Sequence, residues 1–183
     1  MAEHEIKGAW FVAAREEVAA CVGQEALEVL VAGLPGPHQK ILREATSHRW
    51  YPEQSLQSCL RSLRLQLAGH PSVSFGELLE RCTERGMGRF FSTVVGFSSP
   101  RFVLGHVPRM WGVLRRGPGF VTVQHGTQST LLQYREFPFF SDPVYEELTV
   151  HSVRALVRRC TDADPTLTIE RAGPDALDLR VGY

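Results

Sequence analysis

The chain predicts an α+β fold, with an N-terminal helical subdomain followed by a four-stranded antiparallel sheet (ββαββ) and a helix packed on it. Apolar residues recur at helical spacing up to about residue 117, and from Phe120 they alternate with a period of two. Two strand pairs then flank a single helix opened by Ser141-Asp142-Pro143. A length of 183 residues suits one domain over 1–183, mainly helical in 1–117 and ββαββ in 118–183.

Trp10, Ala14 and Val18 mark the first helix, Ala9 to Val22, and Gly23 turns the chain into a second, Glu25 to Ala32. Gly33-Leu34-Pro35-Gly36-Pro37 ends that helix, and another follows over His38 to Thr46. Pro52 fits the first turn of the next helix, where its missing N–H costs nothing, and Leu56, Leu60, Leu63 and Leu67 form its buried stripe. Phe75 to Gly96 opens on a Ser74/Glu77 capping box, in which each side chain satisfies the other's orphan backbone N–H. Its apolar face comprises Phe75, Leu78, Leu79, Cys82, Phe90, Phe91, Val94 and Val95, with Gly86 and Gly88 inside as a close approach or a kink.

Ser99-Pro100 caps a further helix whose face is Phe102, Val103, His106, Val107, Met110, Trp111 and Leu114, bent at Pro108. Phe120 to Gln124 and Ser129 to Phe137 read as a hairpin about His125-Gly126, and a helix then runs to about Cys160. Thr166 to Arg171 and Ala176 to Val181 form the second hairpin, about Gly173-Pro174-Asp175.

Twenty basic and twenty acidic residues cancel, which speaks against a nucleic-acid binder or a polybasic membrane-surface protein. The four cysteines, Cys21, Cys59, Cys82 and Cys160, never approach the paired spacing of a zinc site. The N-terminus carries no export signal and no apolar run reaches the ~20 residues of a membrane helix, so the expectation is a cytoplasmic protein with free thiols and no membrane insertion.

No catalytic constellation is legible. The histidines form no HExxH, no serine sits in a GxSxG elbow, and Gly86-Met87-Gly88 lacks the preceding strand a phosphate loop needs. The adjacent carboxylates Glu16-Glu17 and Glu146-Glu147 point about 100° apart on a helix and read as solvated faces. Arg115, Arg116, Arg158 and Arg159 sit at helix C-termini, where they complement the dipole, and an anion site between two such ends is the sharper alternative. His151 has Glu147 one turn before it as an i, i+4 partner, and His125 lies at a hairpin tip. His106, on an apolar helix face, is either a hydrogen-bonded core histidine or a ligand in a hydrophobic pocket. Trp50-Tyr51-Pro52 and Phe137-Pro138-Phe139-Phe140 read as packing at changes of chain direction.

Several short motifs carry a family likeness: His48-Arg49-Trp50-Tyr51-Pro52, Gly86-Met87-Gly88-Arg89-Phe90-Phe91, Ser99-Pro100-Arg101-Phe102, Arg109-Met110-Trp111 leading into Phe120-Val121-Thr122-Val123, and the closing Leu177-Asp178-Leu179-Arg180-Val181. The chain resembles a myxobacterial paralogous family of stand-alone proteins. That family is related to the superfamily of haem-nitric-oxide-binding domains, 4-vinyl-reductase-type domains and TRAPP vesicle-transport subunits. The resemblance implies an α+β ligand-binding or interaction module, with the haem histidine of the haem-binding relatives on a helix like that of His106. The Tyr-x-Ser-x-Arg motif that grips the haem propionates is absent, since neither Tyr134-Arg135-Glu136 nor Tyr51-Pro52-Glu53 fits it, and so is the cysteine cluster of some vinyl-reductase-type relatives.

The leading reading is a non-enzymatic sensory or interaction module with no cofactor and no metal. It takes a small apolar ligand near Phe102, His106, Met110 and Trp111, or a protein partner, a homodimer included. The alternatives are a homo-oligomeric scaffold, a haem-based gas sensor with His106 as axial ligand, and an enzyme of unrecognised class.

Overall fold

A computed structural model describes residues 4–95 and 99–183, and the side chains of all of these except 87–95. The roles expected of Gly88, Phe90, Phe91, Val94 and Val95 fall outside the described side chains. Helices α1 (Ala9–Cys21), α2 (Gln24–Ala32), α3 (Gly36–Glu44), α4 (Glu53–Gln66) and α5 (Phe75–Val95) build the first half. Their expected stripes are buried: Leu56, Leu60, Leu63 and Leu67 of the α4 segment are all within the core, as are Leu78, Leu79 and Cys82 of α5. Each such leucine contributes roughly 2 kcal/mol by leaving water. The capping box forms as expected, Ser74 N donating to Glu77 Oε2 at 2.7 Å and Glu77 N to Ser74 Oγ at 3.2 Å.

The helical half also holds a small sheet that periodicity did not disclose. Strand β1 (Glu5–Lys7) pairs antiparallel with β2 (Trp50–Pro52) on one side and β3 (Arg115–Arg116) on the other. Strands of two or three residues are too short to display an alternation. Gly8 follows β1 where a Cβ would run into the Thr46 carbonyl oxygen and the Tyr51 ring, so only glycine lets these segments approach. Pro52 closes β2 and immediately precedes α4 instead of entering its first turn.

The helix expected from Ser99 to Leu114 is two helices, α6 (Pro100–Gly105) and α7 (Val107–Leu114), and the break falls at His106, before the expected bend at Pro108. Proline has no N–H and its ring crowds the carbonyl four residues earlier, so the chain restarts and takes Pro108 into the first turn of α7.

Beyond it, β4 (Phe120–His125), β5 (Ser129–Arg135), β6 (Thr166–Gly173) and β7 (Ala176–Gly182) form the expected antiparallel sheet in the order β4-β5-β7-β6. Val121, Tyr134 and Leu177 lie in register across three strands, as do Val123, Leu132 and Leu179. This row turns inward, with Leu132, Tyr134, Leu177 and Leu179 buried. Helices α6 and α7 lie against β4, whereas α8 (Pro143–Arg158), between the hairpins, runs chiefly along α5.

Candidate functional site

A cavity of about 110 Å³ lies where the two halves meet. Trp10 of α1, Met110 and Trp111 of α7, and Leu148 and Leu156 of α8 supply most of its apolar wall. Gly86 of α5 also lines it, and a Cβ there would only touch the Ala13 methyl at 3.9 Å, so this glycine borders space more than a close backbone.

The polar groups at the cavity differ in how well they are satisfied. Thr83 Oγ1 donates to the Leu79 carbonyl at 2.8 Å, which leaves it to accept from Ser152 Oγ at 2.9 Å. The Cys82 thiol is pushed up by burial, with Glu17 and Cys21 adding to the shift, and stays protonated at neutral pH. Tyr134 is 3% exposed, its ring edge-on to Trp111 at 5.5 Å and to Phe140 at 5.7 Å. Burial raises its phenol, against the pull of Arg115, and its hydroxyl makes no hydrogen bond to any described residue.

Arg115 connects this wall to a buried network. Its guanidinium lies 4.4 Å over the Trp111 ring, and Nε is 3.5 Å from Oε1 of the fully buried Glu53. The Tyr145 hydroxyl sits 3.0 Å from that same Oε1 and 3.1 Å from the Glu53 carbonyl. Glu53 Oε2 and Arg115 Nε have no hydrogen-bond partner among the described residues. Burial raises the Glu53 carboxyl, opposed by Arg115 and by the hydrogen bond from Tyr145. Arg115 is the C-cap of α7, the helix-end place expected of it, and also serves β3 and an inward ion pair; Arg116 lies over the Trp50 ring at 4.1 Å. At the other arginine-rich helix end, Arg158 is 3.1 Å from Glu80 and 3.6 Å from Asp164.

The four expected ligand contacts separate. Met110 and Trp111 line the cavity, and Trp111 Nε1 is fixed by donating to the Gly119 carbonyl at 2.9 Å. Phe102 and His106 lie outside it, their rings 4.3 Å apart, in a surface depression shared with His125. Phe102 is 47% exposed, and His106 Nδ1 donates to the Phe102 carbonyl at 2.8 Å. His125, exposed at its hairpin, meets Thr130 Oγ1 at 2.9 Å.

Two surface assignments are corrected. His151 Nδ1 lies 2.8 Å from Glu80 of α5, and Glu147 instead reaches Arg64 of α4 at 2.8 Å, so both find partners on facing helices. Glu16 and Glu17 both bridge to Arg85, and Glu17 is buried instead of solvated. The aromatic run at 137–140 packs as expected: Phe137 meets Phe139, Phe140 and Tyr145 at 5.2 to 5.5 Å. Periodicity missed Tyr134, Arg115, Cys82 and Glu53 as site residues. Inward alternation of Thr130, Leu132 and Tyr134 was the available signal for the tyrosine; nothing local marks a helix-N-terminal glutamate as buried.

Helices set against a four-stranded antiparallel sheet, with a pocket between the two, define an α+β protein with an interior binding space. The fold is that of H-NOX proteins. An unliganded Fe(II) H-NOX protein from K. algicida superposes with a TM-score of 0.70 at 13% identity, covering 97% of this chain and 96% of that one. An Fe(II) H-NOX protein variant from S. oneidensis gives 0.69 at 14% identity, over 97% and 95%. A structure from work on heme distortion in the H-NOX family gives 0.67 at 9%, over 97% and 95%. No family model and no curated protein sequence matches the chain.

Haem is the group this fold implies, and the residues present do not fit it. Proteins hold haem iron through histidine, cysteine thiolate, tyrosine or a Met/His pair. Among the described residues no histidine lines the cavity, and burial keeps the Cys82 thiol and the Tyr134 phenol protonated. Met110 therefore has no histidine to pair with. The cavity volume of about 110 Å³ also falls below the roughly 300–1,000 Å³ of sites for drug-sized ligands.

Proposed function

We propose that residues 1–183 act as one non-enzymatic sensory or interaction module that takes a small apolar ligand into the cavity beside Met110 and Trp111. The carrying observation is the cavity itself, walled by helices and sheet together. A ligand there touches α1, α5, α7, α8 and β5 at once, so it shifts the balance between packings of the two halves that differ in affinity for it. The non-enzymatic reading rests on the titratable groups: Cys82 and Tyr134 are held protonated, so neither is poised to exchange a proton near neutral pH. We place the protein in the cytoplasm and among the myxobacterial paralogues it resembles, with a protein partner or a second copy reading the ligand state. No helix among the described residues is long and apolar enough to cross a membrane.

Native mass spectrometry tests the reading. The protein as purified, or after exposure to benzene, is expected to carry an added small mass. Trp111→Ala loses that mass while folded, and Phe102→Ala keeps it. A chain that stays bare under both conditions overturns the proposal. A Soret band on adding haem, abolished in His106→Ala, would replace it with the haem-sensor alternative.

A further inference from the structure

We propose that the cavity selects a neutral ligand of about one ring's size carrying a hydrogen-bond acceptor, such as a ketone oxygen, which the Tyr134 hydroxyl engages. The inference rests on the ligand-binding reading above and names the chemistry of that same site. Tyr134 is 3% exposed, lines the cavity, and has no hydrogen-bond partner for its hydroxyl among the described residues. Its oxygen is not among the fully buried unpaired atoms, so it is an open donor, and a few such polar groups in an apolar wall are what orient a ligand.

The neighbouring groups decide what that partner is. Thr83 and Ser152 are engaged with each other, and Trp111 Nε1 is engaged with Gly119, so none of them competes for the acceptor. The remaining wall is mostly apolar, and water held there would find fewer than the 2–4 polar partners that roughly describe a stable buried site. Among the described residues Arg115 is the one cation at the wall, and its guanidinium already faces a carboxyl, Glu53, with Nε 3.5 Å from Oε1. Size sets the last constraint: a dry engineered cavity of about 150 Å³ accommodates benzene, and a volume of about 110 Å³ limits the ligand to a five- or six-membered ring or a short chain.

Cyclopentanone and its isostere methylenecyclopentane, which has no oxygen acceptor, provide the test by titration monitored by NMR. Wild type is expected to bind both. Tyr134→Phe should bind the ketone about tenfold more weakly and leave the alkene within about twofold, as the loss of one buried hydrogen bond requires. Removing an unpaired hydroxyl leaves the ligand-free variant folded, with a Tm equal to or above that of wild type. The carbonyl carbon resonance of bound cyclopentanone gives a second reading, lying downfield in wild type of its position in Tyr134→Phe if the oxygen accepts from the phenol. Equal ketone affinity in Tyr134→Phe, or the same bound carbonyl resonance in both proteins, overturns the acceptor inference while the cavity reading stands. Binding of neither compound by wild type overturns both.

Discussion

Phe102 and His106 on one side of a helix break, and Met110 and Trp111 on the other, share one apolar period in the sequence yet meet different surroundings. The first pair stack on each other at the surface, while the second pair form a cavity wall. The difference teaches that a wide apolar face has an outer margin. Val103, Val107 and Met110 keep helical spacing across the break and are all buried, while Phe102 and His106 lie at the surface.

Breaking the inner side should have the largest effect. Arg115→Met strands the buried Glu53 carboxylate and should cost about 3 kcal/mol in urea unfolding, with a smaller loss at low pH where Glu53 takes up a proton. A loss independent of pH would show that Arg115 acts through packing on Trp111 alone. Met110→Ala should cost about 2 kcal/mol, the low end for core methionine because an existing cavity already borders the side chain. A loss as small as that of an exposed residue would show that the wall is not tightly packed.

The Glu53 carboxyl should also leave a signature in pH. Its folded value is raised by burial above the unfolded one, so the native state binds more protons between the two values. The stability it contributes is present below the ordinary carboxylate value and is lost as pH rises through the raised value. The stability of wild type relative to Glu53→Gln should therefore fall as pH rises above the ordinary carboxylate value. A flat difference would mean that Arg115 and Tyr145 cancel the burial cost. On the outer side, Phe102→Ala should change stability by no more than about 0.5 kcal/mol, and a loss near that of Met110→Ala would erase the distinction between the two pairs.

Periodicity and turn chemistry were enough to read the helices, both hairpins and the capping box, because each depends on contacts between residues a few positions apart. They also marked Met110 and Trp111, whose helical spacing and size are local facts. Pairings across 41 or more residues were beyond them: the β1–β2–β3 sheet joins segments from three parts of the chain, and Glu53 is buried by Tyr145, 92 residues away.

By itself the sequence determined an α+β chain with its elements in order, since local propensity and hydrophobic period select helix or strand. Only the tertiary structure decided which residues share the cavity. Burial and long-range pairing bring Tyr134 to its wall and turn Arg115 inward to Glu53, and neither leaves a mark in local order.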